Sequence, residues 1–105
     1  LGVRTSQITL GNGSNDVLDL VTRAFVDPGQ QVVVAEHAFA IYGLSAKSVN
    51  AELVVVPARD FGHDLEAMAA TVTDSTRVVF VANPNNPTGT YQDKDAVQNF
   101  LMPWP

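Results

Sequence analysis

Asn83-Pro84-Asn85-Asn86-Pro87-Thr88-Gly89 stands directly after the apolar run Val78-Val79-Phe80-Val81-Ala82. Asn, Pro and Gly each bend or fix the backbone for a different physical reason, so the composition demands an irregular turn just past a strand. In open α/β sheets that carboxyl edge is where ligands bind. An ordinary surface loop has the same composition, and the turn alone does not separate the two. A second stretch, Gly11-Asn12-Gly13-Ser14-Asn15-Asp16, follows the short alternating piece Ile8-Thr9-Leu10 and opens a helical pattern. Val17, Leu18, Val21, Ala24 and Phe25 recur at helical spacing, with Asp16, Asp19 and Arg23 on the other side. Glycines allow close backbone approach, and the unpaired amides and dipole of a helix N-terminus favour an anion, for which a phosphate is the natural candidate. Ser14 or Asn15 also suits a plain N-cap.

Between these stretches lies His37-Ala38-Phe39-Ala40-Ile41-Tyr42. The three motifs, in this order, resemble those of the fold-type I pyridoxal-phosphate aminotransferases, most closely the histidinol-phosphate aminotransferase family. The resemblance runs from about Ile8 to Tyr91. It implies that Gly13, Ser14 and Asn15 hold the cofactor phosphate through backbone amides and the Ser14 hydroxyl. It implies that Phe39 stacks on the pyridine ring, where an offset aromatic pair is worth roughly 0.5–1.5 kcal/mol beyond burial. Asn86 would donate its amide to the phenolic oxygen of the ring and so tune the cofactor as an electron sink. Phe39 as simple core is the competing account, since an aromatic at helical spacing is ordinarily packed. Tyr42 reads as structural.

The resemblance also implies groups that these residues do not supply. The family uses a lysine that forms the Schiff base with the cofactor, an aspartate on the pyridine nitrogen and an arginine on the substrate carboxylate. All three lie beyond the N-N-P-T-G turn. The only lysines here are Lys47 and Lys94, and both read as solvated surface side chains. No catalytic residue is therefore assigned, and the chain by itself is not expected to transaminate. His37 and His63 have no further His, Cys or carboxylate at ligand spacing, so neither reads as a metal ligand. Asp64 suits a helix cap, and His37 is placed beside Phe39.

Composition narrows the class. The 105 residues bound the chain to at most one domain, and 46% apolar content is enough for a core. No cysteine is present, which excludes disulfide and thiol chemistry. A net charge of -5 argues against nucleic acid, and no apolar run is long enough for a membrane span. Leu1 opens neither with Met nor with a signal-like segment, so the chain is expected to be an internal piece of a cytoplasmic enzyme. Its partners would be an amino donor and a 2-oxo acid.

The elements that must position the motifs follow from periodicity and punctuation. Strands are expected at Ile8 to Leu10, Gln31 to Ala35, Glu52 to Val56 and Arg77 to Ala82. Helices are expected from about Asn15 to Val26, from about Phe39 to Val49 and from near Asp64, the last with Leu65, Met68 and Val72 on one face. The tail from Phe100 starts as helix, is stopped by Pro103 and Pro105, and leaves Trp104 exposed. Strands rich in valine that alternate with helices mean a parallel sheet in a three-layer α/β/α arrangement. By resemblance this is part of the pyridoxal-phosphate-binding large domain, spanning residues 1–105 as a single incomplete domain.

Two rival accounts use the same residues. Gly11-x-Gly13 with Glu36 roughly 20 residues on mimics a dinucleotide-binding fingerprint, although Asp16 occupies the place where that motif wants a small residue. Alternatively the chain is a non-catalytic remnant. In the family's sheet the first strand lies far from the other three, so the last strand would keep a bare edge that recruits a partner, giving a homodimer or a strand-swapped oligomer.

Overall fold

A computed structural model describes residues 2–104; Leu1 and Pro105, with the expectations placed on them, lie outside the described residues. Helix α1 spans Gly13–Phe25, strand β1 Gln31–Ala35, α2 Ile41–Ser48, β2 Glu52–Val56, α3 Leu65–Thr71, β3 Thr76–Val79 and α4 Lys94–Leu101, after a short 3-10 turn at Thr5–Gln7. The three strands form one parallel sheet in the order β2-β1-β3. Central β1 is hydrophobic on both faces because both are covered. Val32 and Val34 join Val26, Tyr42, Ala46 and Phe80 on the α1/α2 side. Val33 and Ala35 join Val56, Leu65 and Met68 on the α3/α4 side. Strict alternation along one strand thus feeds two cores, which is the three-layer α/β/α architecture. Val32, Val33 and Met68 are fully buried, each worth about 1.5–3 kcal/mol of transfer free energy.

The bounds of β1 and β2 are those expected from sequence, and α3 begins after Asp64, whose carboxylate accepts from the Ala67 amide at 3.1 Å. Other expectations are corrected. Ile8 to Leu10 is not a strand, and Leu10 is 86% exposed. Three residues with no neighbouring strand to complete their hydrogen bonds cannot hold a ladder. The last strand ends at Val79 rather than Ala82, although the Phe80 amide still reaches the Val33 carbonyl at 3.0 Å before the chain turns away. Helix α2 starts at Ile41, leaving Phe39 in the loop before it.

Residues Lys94–Leu101 form a full helix where the sequence places helix only from Phe100; Asp93 caps it by accepting from the Ala96 amide at 2.8 Å. Trp104 is half-buried, edge-on to Phe100 at 4.8 Å, rather than exposed. On α1, Thr22 and the flanking Val26 face the core while Phe25 is exposed. Helix α1 packs on α2 and on the edge strand β3. Leu20 and Phe25 on this helix stay exposed.

Candidate functional site

The carboxyl ends of β1, β2 and β3 release three loops side by side, and side chains stitch them together. After β2, Pro57 to Asp64 is held to the β1 loop by the Glu36 carboxylate, which accepts from the Ala58 amide at 3.0 Å. His63 is buried and bonds the Ala82 carbonyl through Nε2 at 2.9 Å, joining the β2 and β3 loops. The long β3 loop is closed at its base by Asn83 and Gln92. Asn83 Nδ2 donates to the Gln92 carbonyl and the Gln92 amide donates to Asn83 Oδ1, both at 2.8 Å. Gln92 Nε2 also donates to the His63 carbonyl at 3.0 Å.

Inside that loop the tip folds back on itself. The Asn85 amide donates to the Thr90 carbonyl and the Gly89 amide to the Asn85 carbonyl, each at 2.8 Å. Asn85 is buried, and its Nδ2 donates both to Thr88 Oγ1 at 2.8 Å and to the His37 carbonyl at 3.2 Å. Asn86 is exposed, and among the described residues its side chain has no hydrogen-bond partner. A turn in which the neighbours are bonded and one amide is left free presents that amide to an outside acceptor.

Phe39 is half-buried and meets Tyr42 edge-on at 6.1 Å. Tyr42 is buried and stacked on Phe80 at 4.6 Å, in agreement with its structural reading. Burial pushes the Tyr42 phenol upward. Core packing thus anchors one side of Phe39 through Tyr42 and leaves part of its ring accessible. The simple-core account of Phe39 and the ring-stacking account both draw on this placement.

At the start of α1 the amides are free of side-chain caps. Neither Ser14 nor Asn15 caps the helix; α1 begins at Gly13 with Asn12 in the cap position and no side-chain cap bond. Helices α3 and α4, by contrast, are each capped by an aspartate. Asp16 turns its carboxylate back onto the Asn12 amide at 3.0 Å. Gly13 has φ +76, and a Cβ there would meet nothing within 4 Å. A left-handed glycine ahead of uncapped amides is a backbone cradle that suits an anion.

The structure therefore brings two of the three motifs together directly. The bond from Asn85 to His37 ties the Asn86 turn to the Phe39 loop. Gly13, Ser14 and Asn15 lie at the N-terminus of α1, and among the described residues no hydrogen bond joins them to the other two. The donor set fits pyridoxal phosphate in kind: uncapped amides for a phosphate, a flat apolar face for a ring and a free amide for a ring oxygen. Lys47 and Lys94 are exposed on α2 and α4. Glu36, which the dinucleotide account needs on a ribose, is occupied by the Ala58 amide, and the segment ahead of the glycine turn is not a sheet strand. Asn85, Thr88 and Thr90 were not singled out from sequence. No local signal marks them: the bond from Asn85 to Thr88 joins two side chains, and Asn85 Oδ1 closes no Asx-turn.

The sequence profile of the family described as aminotransferase class I and II matches residues 2–102. The chain is 61% identical over 104 residues to histidinol-phosphate aminotransferase 2 of Ralstonia nicotianae, covering 99% of this chain and 28% of that protein. It is 54% identical to histidinol-phosphate aminotransferase 1 of Cupriavidus pinatubonensis over 100% of this chain and 28% of that protein. Among solved structures, histidinol-phosphate aminotransferase from Sinorhizobium meliloti in complex with pyridoxal-5'-phosphate superposes with TM-score 0.84 at 29% identity, covering 90% of this chain and 26% of that one. The aspartate aminotransferase from Rhizobium meliloti shares the fold, with TM-score 0.86 at 23% identity over 97% of this chain and 26% of that one. The chain thus spans little more than a quarter, 28%, of the length of the curated relatives it matches.

Proposed function

The chain belongs to the class I and II aminotransferase family, and from that premise we propose that residues 1–105 are part of the cofactor-binding large domain of a pyridoxal-phosphate-dependent transaminase. Its reaction moves an amino group between an amino-bearing substrate and a 2-oxo acid. Histidinol phosphate with 2-oxoglutarate is the pair that the similarity to the Ralstonia and Cupriavidus proteins favours. The observation that carries the reading is Asn86, exposed and unbonded in a turn whose other amides are engaged. When bound, pyridoxal phosphate supplies the electron sink for chemistry at the amino-bearing carbon. The residues here hold and orient it: Gly13, Ser14 and Asn15 at the phosphate, Phe39 at the ring face, Asn86 at the ring oxygen. None of the five bonds to the reacting atoms, and the lysine that does so in the family has no counterpart among these residues. Among the described residues no helix is long and apolar enough to cross a membrane, and a cytoplasmic location suits such an enzyme.

The test is Asn86→Ala in the enzyme that carries this segment. A hydrogen bond to a charged oxygen is worth on the order of 1.5–3 kcal/mol. An amide donor draws negative charge from the ring oxygen, and without it that oxygen holds a neighbouring proton more tightly. The bound cofactor's visible absorption should therefore titrate at higher pH, and turnover should fall, with the far-UV circular dichroism unchanged. An unchanged titration removes Asn86 from the cofactor site.

A second reading, self-association, has its own observation. Strand β3 pairs only with β1 among the described residues, so its other edge is open, and α1, which packs on β3, leaves Leu20 and Phe25 exposed. An open strand edge is a template for pairing. The 105-residue chain should elute as a dimer or larger in gel filtration; a sharp monomer peak rejects the idea.

A further inference from the structure

We infer that Asn85 is a positioning residue that fixes where Asn86 and Phe39 stand relative to each other, an inference that rests on the cofactor reading above. Asn85 is 4% exposed, and both hydrogens of its amide are committed, to Thr88 Oγ1 and to the His37 carbonyl. The orientation of the amide is dictated by chemistry, because a backbone carbonyl can only accept. Oδ1 is thereby left buried with no partner among the described residues. Burying an unsatisfied oxygen is costly, so a residue concerned with packing alone would be better replaced by an apolar side chain. An apolar side chain cannot hold two acceptors on different loops at once.

The two acceptors belong to the two halves of the ring site. Thr88 lies in the turn that presents Asn86, and His37 lies two residues before Phe39. The line of bonds continues from Thr88 Oγ1 to Thr90 Oγ1 at 2.9 Å and from Thr90 Oγ1 to the Phe61 carbonyl at 3.4 Å. It therefore crosses all three loops at the carboxyl edge of the sheet. Both end residues, His37 at φ 59 and Phe61 at φ 61, hold left-handed backbone that such side chains rarely adopt, and their rings lie 5.5 Å apart. Strained backbone persists where surrounding bonds over-determine it. Asn85 is the only member of this line that joins the Phe39 loop to the Asn86 turn among the described residues.

The test uses the holoenzyme that carries this segment, with three variants and one combination. Asn85→Ala should raise the pH at which the cofactor's visible band titrates, in the same sense as Asn86→Ala but by less. It should speed cofactor dissociation about five-fold, the change one neutral hydrogen bond commonly brings. In the Asn85→Ala/Asn86→Ala combination the extra titration shift should vanish, because Asn85 acts on the ring oxygen only through Asn86. The faster dissociation should remain, because it also reflects the Phe39 loop. Loss of packing alone would lower thermal stability without this pattern. If Asn85→Ala does not fold, Thr88→Val carries the test: it removes the acceptor while keeping the shape, and should move the titration in the same sense. A shift in Asn86→Ala with none in Asn85→Ala, or none in Thr88→Val where that variant carries the test, overturns the inference alone. So does an Asn85→Ala shift that persists in full in the combination. No shift in Asn86→Ala overturns the ring-oxygen contact and this inference together.

Discussion

Gly13→Val in the holoenzyme is expected to weaken pyridoxal phosphate binding about a hundred-fold, equivalent to about 2.7 kcal/mol, while the stability of the fold falls by less. The two effects have separate causes. A Cβ at Gly13 meets nothing within 4 Å, so the protein without ligand has room for the side chain. What it pays is the left-handed backbone at φ +76, roughly 1–2 kcal/mol for a residue with a Cβ. The β-branched side chain also occupies the open space adjoining the uncapped amides of Ser14 and Asn15, which is where an anion has to approach. Each charge-assisted hydrogen bond lost there is worth about 1.5–3 kcal/mol. Equilibrium dialysis and a thermal melt of the same variant separate the two. Losses of equal size in affinity and stability would mean that the turn is only a helix start.

The strands were legible in sequence where composition and punctuation agreed. Gln31–Ala35 and Glu52–Val56 are valine runs that follow Gly29 and Asn50, the second also stopped by Pro57, and both fold with the expected ends. Ile8 to Leu10 shows the limit of that reasoning. Alternation marks residues able to form a strand, but a strand also needs a neighbour, and sequence periodicity does not supply one. Phe25 failed for a related reason. It sits at helical spacing with Val21 and Leu18, yet α1 packs only on α2 and the edge strand β3 among the described elements, and Phe25 is left exposed. Helix α4 escapes the sequence reading before Phe100 because Lys94 and its charged neighbours suit solvent equally well, and an aspartate followed by a polar first turn is also how a helix starts.

The site was legible one residue at a time and not as a network. Asn86 could be picked from the N-N-P-T-G motif, and the structure leaves it exposed. Asn85, beside it and of the same type, points the other way and is buried. The difference comes from a bond to His37, 48 positions earlier. Nothing local in the sequence distinguishes two adjacent asparagines. Only the parallel crossover that brings the β1 and β3 loops together assigns one to the interior and the other to the surface.

The two lysines give the second large expected effect. Lys47 lies in the last turn of α2 and Lys94 opens α4, and both are exposed. A lysine that bonds a cofactor is desolvated or set beside another cation, and a side chain exposed on a helix surface meets neither condition. The 105 residues carry groups suited to the phosphate, the ring face and the ring oxygen, but no lysine placed to anchor the aldehyde. They are therefore expected to bind pyridoxal phosphate with millimolar rather than micromolar affinity, a loss of about 4 kcal/mol at 1.4 kcal/mol per factor of ten. Borohydride reduction of the mixture, followed by peptide mass spectrometry, should find no stoichiometric adduct. Full pyridoxyl modification at Lys47 or Lys94, accompanied by transaminase turnover, would mean that one of these surface lysines reaches the ring, and the assignment of both to solvent would be wrong.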